Sequence, residues 1–163
     1  MPRLVAIAVV CCALLAAPGA AEARRQFAVD LSAAWVGFAD DGVVSETLAG
    51  GAARWHVSPR ISIGPELVYI QGENHSHFVV TGNLWFDFNP DGAVQPFLVI
   101  GGGLFQTHET FFDDAVTSSE GAFTAGGGVR GRVGDRVGVG VDVRLGWETH
   151  IRVGGLVSIR LGR

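Results

Sequence analysis

The stretch that decides the fold is DRVGVGVDVRLGWETHIRVGGLVSIRL, residues 135–161. Val137, Val139, Val141, Val143, Leu145 and Trp147 take every second position, with Arg136, Gly138, Gly140, Asp142, Arg144 and Gly146 between them. A strand turns successive side chains to opposite faces, so this is a strand with one apolar face and one face of charge and glycine. Trp147-Glu148-Thr149-His150 makes the turn. Ile151, Val153, Val157, Ile159 and Leu161 then alternate with Arg152, Gly154, Ser158 and Arg160 on the way back. In a water-soluble sheet the charged face of this hairpin is wet. In a membrane-spanning barrel it lines the interior, and the apolar face meets lipid.

Working outward, six further segments alternate in the same way. The first, about Gln26 to Phe38, sets Phe27, Val29, Leu31 and Trp35 against Asp30 and Ser32. Ala39-Asp40-Asp41-Gly42 turns the chain. About Ser45 to Val57, Trp55 and Val57 oppose Glu46, Arg54 and His56. Ser58-Pro59 turns again. About Arg60 to Gln71, Ile61, Ile63, Leu67 and Tyr69 alternate with Ser62, Gly64 and Glu66. Pro65 lacks an N–H, so it predicts a bulge or local disruption there. Gly72-Glu73-Asn74 leads to a segment of about His75 to Phe88, where Phe78, Val80, Leu84, Phe86 and Phe88 oppose Thr81, Asn83, Trp85 and Asp87. Asn89-Pro90-Asp91-Gly92 is a strong turn signal. The segment of about Val94 to Thr107 is more uniformly apolar than the others. In that of about Glu120 to Val133, Phe123, Ala125, Gly127 and Val129 alternate with Thr124, Gly126, Gly128 and Arg130. His108 to Ser119 reads as the longest connection and as the most mobile one.

The chain of 163 residues is 48% hydrophobic and only 17% charged, and its 24 glycines suit strands and turns better than helices. Met1 to Ala23 reads as a cleaved signal peptide, leaving residues 24–163 as one domain. Arg3 supplies the positive start, Leu4 to Ala17 the apolar core, and Ala21-Glu22-Ala23 the small-x-small cleavage site. Cleavage after Ala23 removes one charge of each sign, so the net charge stays at −4. Cys11 and Cys12 both fall inside the leader, which leaves the mature chain without disulfides or thiol chemistry. The charge balance does not indicate a nucleic-acid partner.

Eight segments of roughly ten residues, without helical period or linker, form the pattern of a transmembrane barrel. The fold expected is all-β: a single antiparallel eight-stranded up-and-down transmembrane β-barrel, preceded by a cleaved signal peptide. With a periplasmic start, the connections near Asp40, Glu73, Phe111 and Glu148 face outward, and those near Pro59, Pro90 and Gly134 face the periplasm. Trp35, Tyr69, Phe105 and Trp147 then fall near the outer ends of their strands, as an interfacial aromatic girdle.

The chain resembles the small outer-membrane β-barrel proteins, such as the membrane domain of outer-membrane protein A and the porin-like barrels. The resemblance spans nearly all the mature chain. It rests on the leader, the strand count and Pro96-Phe97-Leu98-Val99-Ile100-Gly101-Gly102-Gly103-Leu104-Phe105, similar to a proline-aromatic-glycine strand of these families. It implies outer-membrane lipid as surroundings and the outer-membrane insertion machinery as a partner in biogenesis. One departure is the end, Ile159-Arg160-Leu161-Gly162-Arg163, where such barrels usually close on an aromatic residue.

The inward face gathers Asp30, Glu46, Arg54, Glu66, Arg130, Asp142, Arg144, Arg152 and Arg160. An eight-stranded barrel is just wide enough for side chains to fill. These charges therefore read as a structural network pairing across a narrow lumen, with an ion path or acid–base site as the functional alternative. His75-Ser76-His77 offers two imidazoles on one strand face, or a histidine beside a serine, but spacing supplies no third metal ligand and no oriented base–acid partner. Gly101-Gly102-Gly103 and Gly126-Gly127-Gly128 lack the lysine and helix of a phosphate loop. Asp113 and Asp114 read as a solvated acidic loop. The function expected is structural or surface-interactive, without catalysis, catalytic residues or cofactor, and with a surface partner the sequence does not name. Two rivals stand beside it: a soluble periplasmic barrel holding an apolar ligand, and an envelope-lipid-modifying enzyme using His75, Ser76 or His77.

Overall fold

The alternating segments become strands wherever the computed structural model describes the chain, which is over residues 27–39, 43–72, 75–111 and 114–161. In order they are β1 (Phe27–Ala39), β2 (Val43–His56), β3 (Ile61–Gln71), β4 (His75–Asp87), β5 (Val94–Phe111), β6 (Asp114–Arg132), β7 (Val137–Gly146) and β8 (His150–Leu161). Each pairs antiparallel with its sequence neighbours. β8 pairs with β1 from Phe27↔Leu161 to Phe38↔His150, which closes the barrel and removes both sheet edges. The predicted leader, Met1 to Ala23, lies outside the described residues, as does Asp113.

Local chemistry accounts for two departures from plain ladders. At Pro65 the β3–β4 ladder continues through Pro65↔Gly82. The β2–β3 ladder instead breaks between Ala52↔Glu66 and Trp55↔Ile63. Proline has no N–H to give to β2, so the disruption expected from sequence falls on that side alone. Between β7 and β8, Trp147–Thr149 form a single 3₁₀ turn, and Thr149 takes the left-handed conformation at φ 47°. His150 Nδ1 lies 2.5 Å from the carbonyl oxygen of Trp147 and staples the turn.

Two expectations are corrected. His108 to Ser119 is not a long loop: β5 and β6 are the longest strands, at 18 and 19 residues, and their ladder runs on to Phe111↔Asp114. The β6–β7 ladder stops at Thr124↔Gly146, so the tip of this hairpin stands clear of β7. Neither face of such a tip need be apolar, and a run without clear alternation looks like loop in sequence. Second, Phe105 is not part of a girdle. It points into the barrel and is buried against Val36, Phe38, Leu48, Val68 and Ile70. β5 is apolar on both faces, so hydropathy alone could not choose its parity. Trp35, Tyr69 and Trp147 do point outward.

The faces separate cleanly. Outward positions include Leu31, Leu67, Leu84, Leu98, Ile100 and Leu104, together with the valines of β7 and β8. Among the described side chains on this outer face of the strands, none is Asp, Glu, Lys or Arg. Most charged strand residues turn inward, with Arg54 and Asp142 among the most completely buried side chains, while the exposed Glu120 accepts from Trp147 Nε1 at 3.0 Å.

Candidate functional site

The interior is built in layers, each set by ladder register. Across the middle, Glu66 on β3 faces Asp142 and Arg144 on β7 and Arg152 on β8. Arg144 Nη1 donates to Glu66 Oε2 at 2.7 Å, and Arg152 Nη1 donates to Glu66 Oε1 at 3.0 Å. Arg144 also reaches Asp142 Oδ2, from Nε at 2.8 Å and from Nη2 at 2.7 Å. Arg152 Nη2 lies 3.4 Å from the same oxygen. Asn83 Nδ2 donates to Glu66 Oε2 at 2.7 Å. Two carboxylates and two guanidiniums thus cancel in charge at the barrel's centre.

Beside this quartet Arg54 clasps Asp30 with a two-pronged fork, Nε to Oδ2 at 2.6 Å and Nη2 to Oδ1 at 3.1 Å. A planar guanidinium matches a carboxylate in this way, which is why arginine suits an interior pair. Arg54 Nη2 also donates to Ser158 Oγ at 3.0 Å. Its guanidinium carbon lies 5.8 Å from the centre of the buried Trp85 ring. Towards the rim of the β2–β3, β4–β5 and β6–β7 connections, Arg130 pairs with Asp87 and lies over Phe97 at 4.3 Å. Arg160 Nη2 donates to Gln95 Oε1 at 2.9 Å. Gln95 in turn donates to the carbonyl of Pro90 at 2.6 Å and caps the turn below.

Towards the opposite rim an apolar layer intervenes, formed by Val36, Phe38, Leu48, Val68, Ile70 and Phe105. At that rim lies a second polar group. Glu46 Oε1 is 2.5 Å from His75 Nε2, and Glu46 Oε2 is 3.8 Å from His77 Nε2. His77 Nδ1 bonds Thr107 Oγ1 at 3.1 Å. Alternation turns Ser76 to the opposite face from both histidines, so the chain places no histidine–serine pair within this segment.

The sequence-predicted inward residues are therefore found in three separate places. Glu66, Asp142, Arg144 and Arg152 share the centre, and Asp30 with Arg54 lies alongside. Arg130 and Arg160 stand at one rim, and Glu46 stands alone at the other. Sequence reasoning missed Asp87 as the partner of Arg130, although Asp87 shares its parity with Asn83 and Trp85. It also missed Asn83, Gln95 and Ser158 as hydrogen-bonding partners, and the apolar layer. The layer had no signal, because Val36, Leu48, Val68 and Ile70 interrupt the polar face at scattered positions.

Residues 4–156 match the model of the outer membrane protein beta-barrel domain. The chain belongs to this family. Among solved structures, Neisserial surface protein A superposes with a TM-score of 0.75 at 12% identity, over 83% of this chain and 97% of that one. The N-terminal β-barrel domain of OprF from Pseudomonas aeruginosa gives 0.68 at 12%, covering 85% and 100%. Ail, the attachment invasion locus protein of Yersinia pestis, gives 0.61 at 11%, covering 85% and 99%. At such identities the likeness is one of fold. A search of curated proteins found no match. The protein is an eight-stranded outer-membrane β-barrel. That corrects the rival reading of a soluble barrel, which required the charged face outside and the valine face within.

Proposed function

We propose that this barrel has a structural or surface-interaction role in the outer membrane, is not catalytic, and has a lumen filled by its own side chains. The observation that carries this reading is the central quartet of Glu66, Asp142, Arg144 and Arg152, closed off by the apolar layer of Phe38, Ile70 and Phe105. A solvated pore has no use for an apolar layer across its bore, and the charges of the quartet are buried and paired with one another at 2.7–3.4 Å. The parts left to meet a partner are the connections at the histidine-bearing rim and the protruding β5–β6 hairpin. In this reading residues 1–23 are the cleaved leader, the mature chain starts at Arg24, and the histidine-bearing rim faces outward. Lipid surrounds the barrel, and the insertion machinery handles it in biogenesis.

Reconstitution in planar bilayers tests the filled lumen. The expected result is the absence of stable conductance steps. Steps that enlarge when Phe105 and Ile70 are replaced by Ala would replace this reading with that of a channel. Amino-terminal sequencing of the outer-membrane form tests the leader, and a start at Met1 refutes it.

A further inference from the structure

We propose that Glu46, His75 and His77 form a binding site for one divalent transition-metal ion of the zinc class at the outer rim of the barrel. One donor atom from each of the three lies within 4.8 Å of the others. Zinc bonds of about 2.1 Å in tetrahedral geometry put ligand atoms about 3.4 Å apart. The present separations of 2.5 Å and 3.8 Å from the Glu46 oxygens to the two Nε2 atoms straddle that value. Small ring and carboxylate movements would complete the site.

The fold builds this cluster across a strand that contributes no side chain. β2 and β4 are not neighbours, since β3 lies between them. Thr47 pairs with Gln71, and Gln71 pairs with Ser76, so Glu46 and His75 flank Gly72 in the next row. A Cβ at Gly72 would stand 2.6 Å from Glu46 Oε1 and 2.8 Å from His75 Nε2. Glycine is what lets a carboxylate on β2 meet an imidazole on β4.

Charge and hydrogen bonding point the same way. Arg54, Arg130, Arg144 and Arg152 are matched by Asp30, Asp87, Glu66 and Asp142, whereas the ion pairs of Glu46 among the described residues are with His75 and His77. The Glu46 side chain is 1% accessible, and its Oε2 is buried without a hydrogen-bond partner. With His77 Nδ1 donating to Thr107 Oγ1, the Nε2 lone pair of His77 faces that oxygen, and a cation between them satisfies both. A ligating histidine usually donates its far ring N–H to an acceptor oxygen, and Thr107 Oγ1 supplies that oxygen here. Two imidazoles with one carboxylate suit zinc, nickel or copper rather than the hard calcium or magnesium ions. His75, with a third of its side chain accessible, offers the way in. Three protein ligands leave a position for water. This site is independent of the structural role proposed above.

The test uses untagged protein purified from outer membranes in detergent, stripped with a chelator and titrated with Zn²⁺ by calorimetry and with Co²⁺ by visible absorption. The expected result is one ion per chain, with cobalt ligand-field bands of low-symmetry nitrogen–oxygen coordination. Glu46→Gln and His77→Ala should each weaken binding at least about a hundred-fold, and Thr107→Val about ten- to a hundred-fold. His56→Ala, near the opposite rim, should leave it unchanged. Each variant is checked for folding by its heat-dependent gel mobility. If Glu46→Gln does not fold, Thr107→Val and Gly72→Ala carry the test: both keep the three ligand residues, and Gly72→Ala should weaken binding by setting a methyl group between Glu46 and His75. Absence of zinc binding by the folded wild type up to millimolar concentrations overturns the proposal. So does binding that survives His77→Ala undiminished, because the ion is then held elsewhere.

Discussion

Replacing Glu66 with Gln removes one charge from the central quartet while keeping its volume. Glu66 accepts from Arg144 Nη1 at 2.7 Å, Asn83 Nδ2 at 2.7 Å and Arg152 Nη1 at 3.0 Å. Without its charge, Arg144 and Arg152 share Asp142 alone, and one buried guanidinium is unmatched. At an effective dielectric of about 20, each lost attraction is worth about 4 kcal/mol at 4 Å. The desolvation of the carboxylate, no longer incurred, offsets several kcal/mol of that sum. The net cost expected is about 3–5 kcal/mol, the range for breaking a buried pair by removing one partner. Adding Arg152→Met restores the balance of one arginine to one aspartate, so the double variant should recover at least about 1 kcal/mol relative to additivity. The assay is reversible urea unfolding in phospholipid vesicles, followed by gel mobility and by emission of the buried Trp85. A loss under about 1 kcal/mol for Glu66→Gln, or strict additivity of the pair, would refute the claim that this network holds the barrel together.

Two further predictions address the faces and the glycines. A single cysteine at Val141 or Val157, in a variant lacking Cys11 and Cys12, should carry a label that lipid-borne quenchers reach, whereas one at Asp142 or Ser158 should escape them; the reverse pattern would invert the faces. Arg at Val141 should cost about 2–4 kcal/mol if that position lies near mid-membrane. A Cβ at Gly103 would collide with the backbone carbonyl of Val80, which cannot rotate away, whereas Gly121 has open space around it. Gly103→Ala should therefore lose about 1–3 kcal/mol in the same unfolding assay, and Gly121→Ala should be neutral or gain up to about 1 kcal/mol. Equal effects at the two sites would show that backbone clearance is not what Gly103 provides.

The alternation of Val137 to Leu145 and of Ile151 to Leu161 settled strand identity and face, because a period of two leaves each residue one side of the sheet or the other. The same reading placed Asp30, Arg54, Glu66, Arg130 and Asp142 on the inner face, and turn residues such as Asn89-Pro90-Asp91-Gly92 separated the strands. Pro65 could be read as a ladder defect because a missing N–H is a property of the residue itself. Where the pattern was two-sided, as in β5, parity was lost and Phe105 was put on the wrong face. Where polar and apolar residues were mixed on both sides, the β5–β6 tip was mistaken for loop.

What only the tertiary structure decided is who meets whom inside. Glu66 meets Arg144 and Arg152, 78 and 86 residues away, because closure of β8 on β1 curls β3 opposite β7 and β8. Nothing local encodes that distance. Glu46 becomes the third partner of His75 and His77 through the β2–β3–β4 register and the absent side chain of Gly72. Periodicity is a property of each strand alone and survives in the sequence. Register and closure are properties of pairs of strands, and they exist only once the barrel has formed.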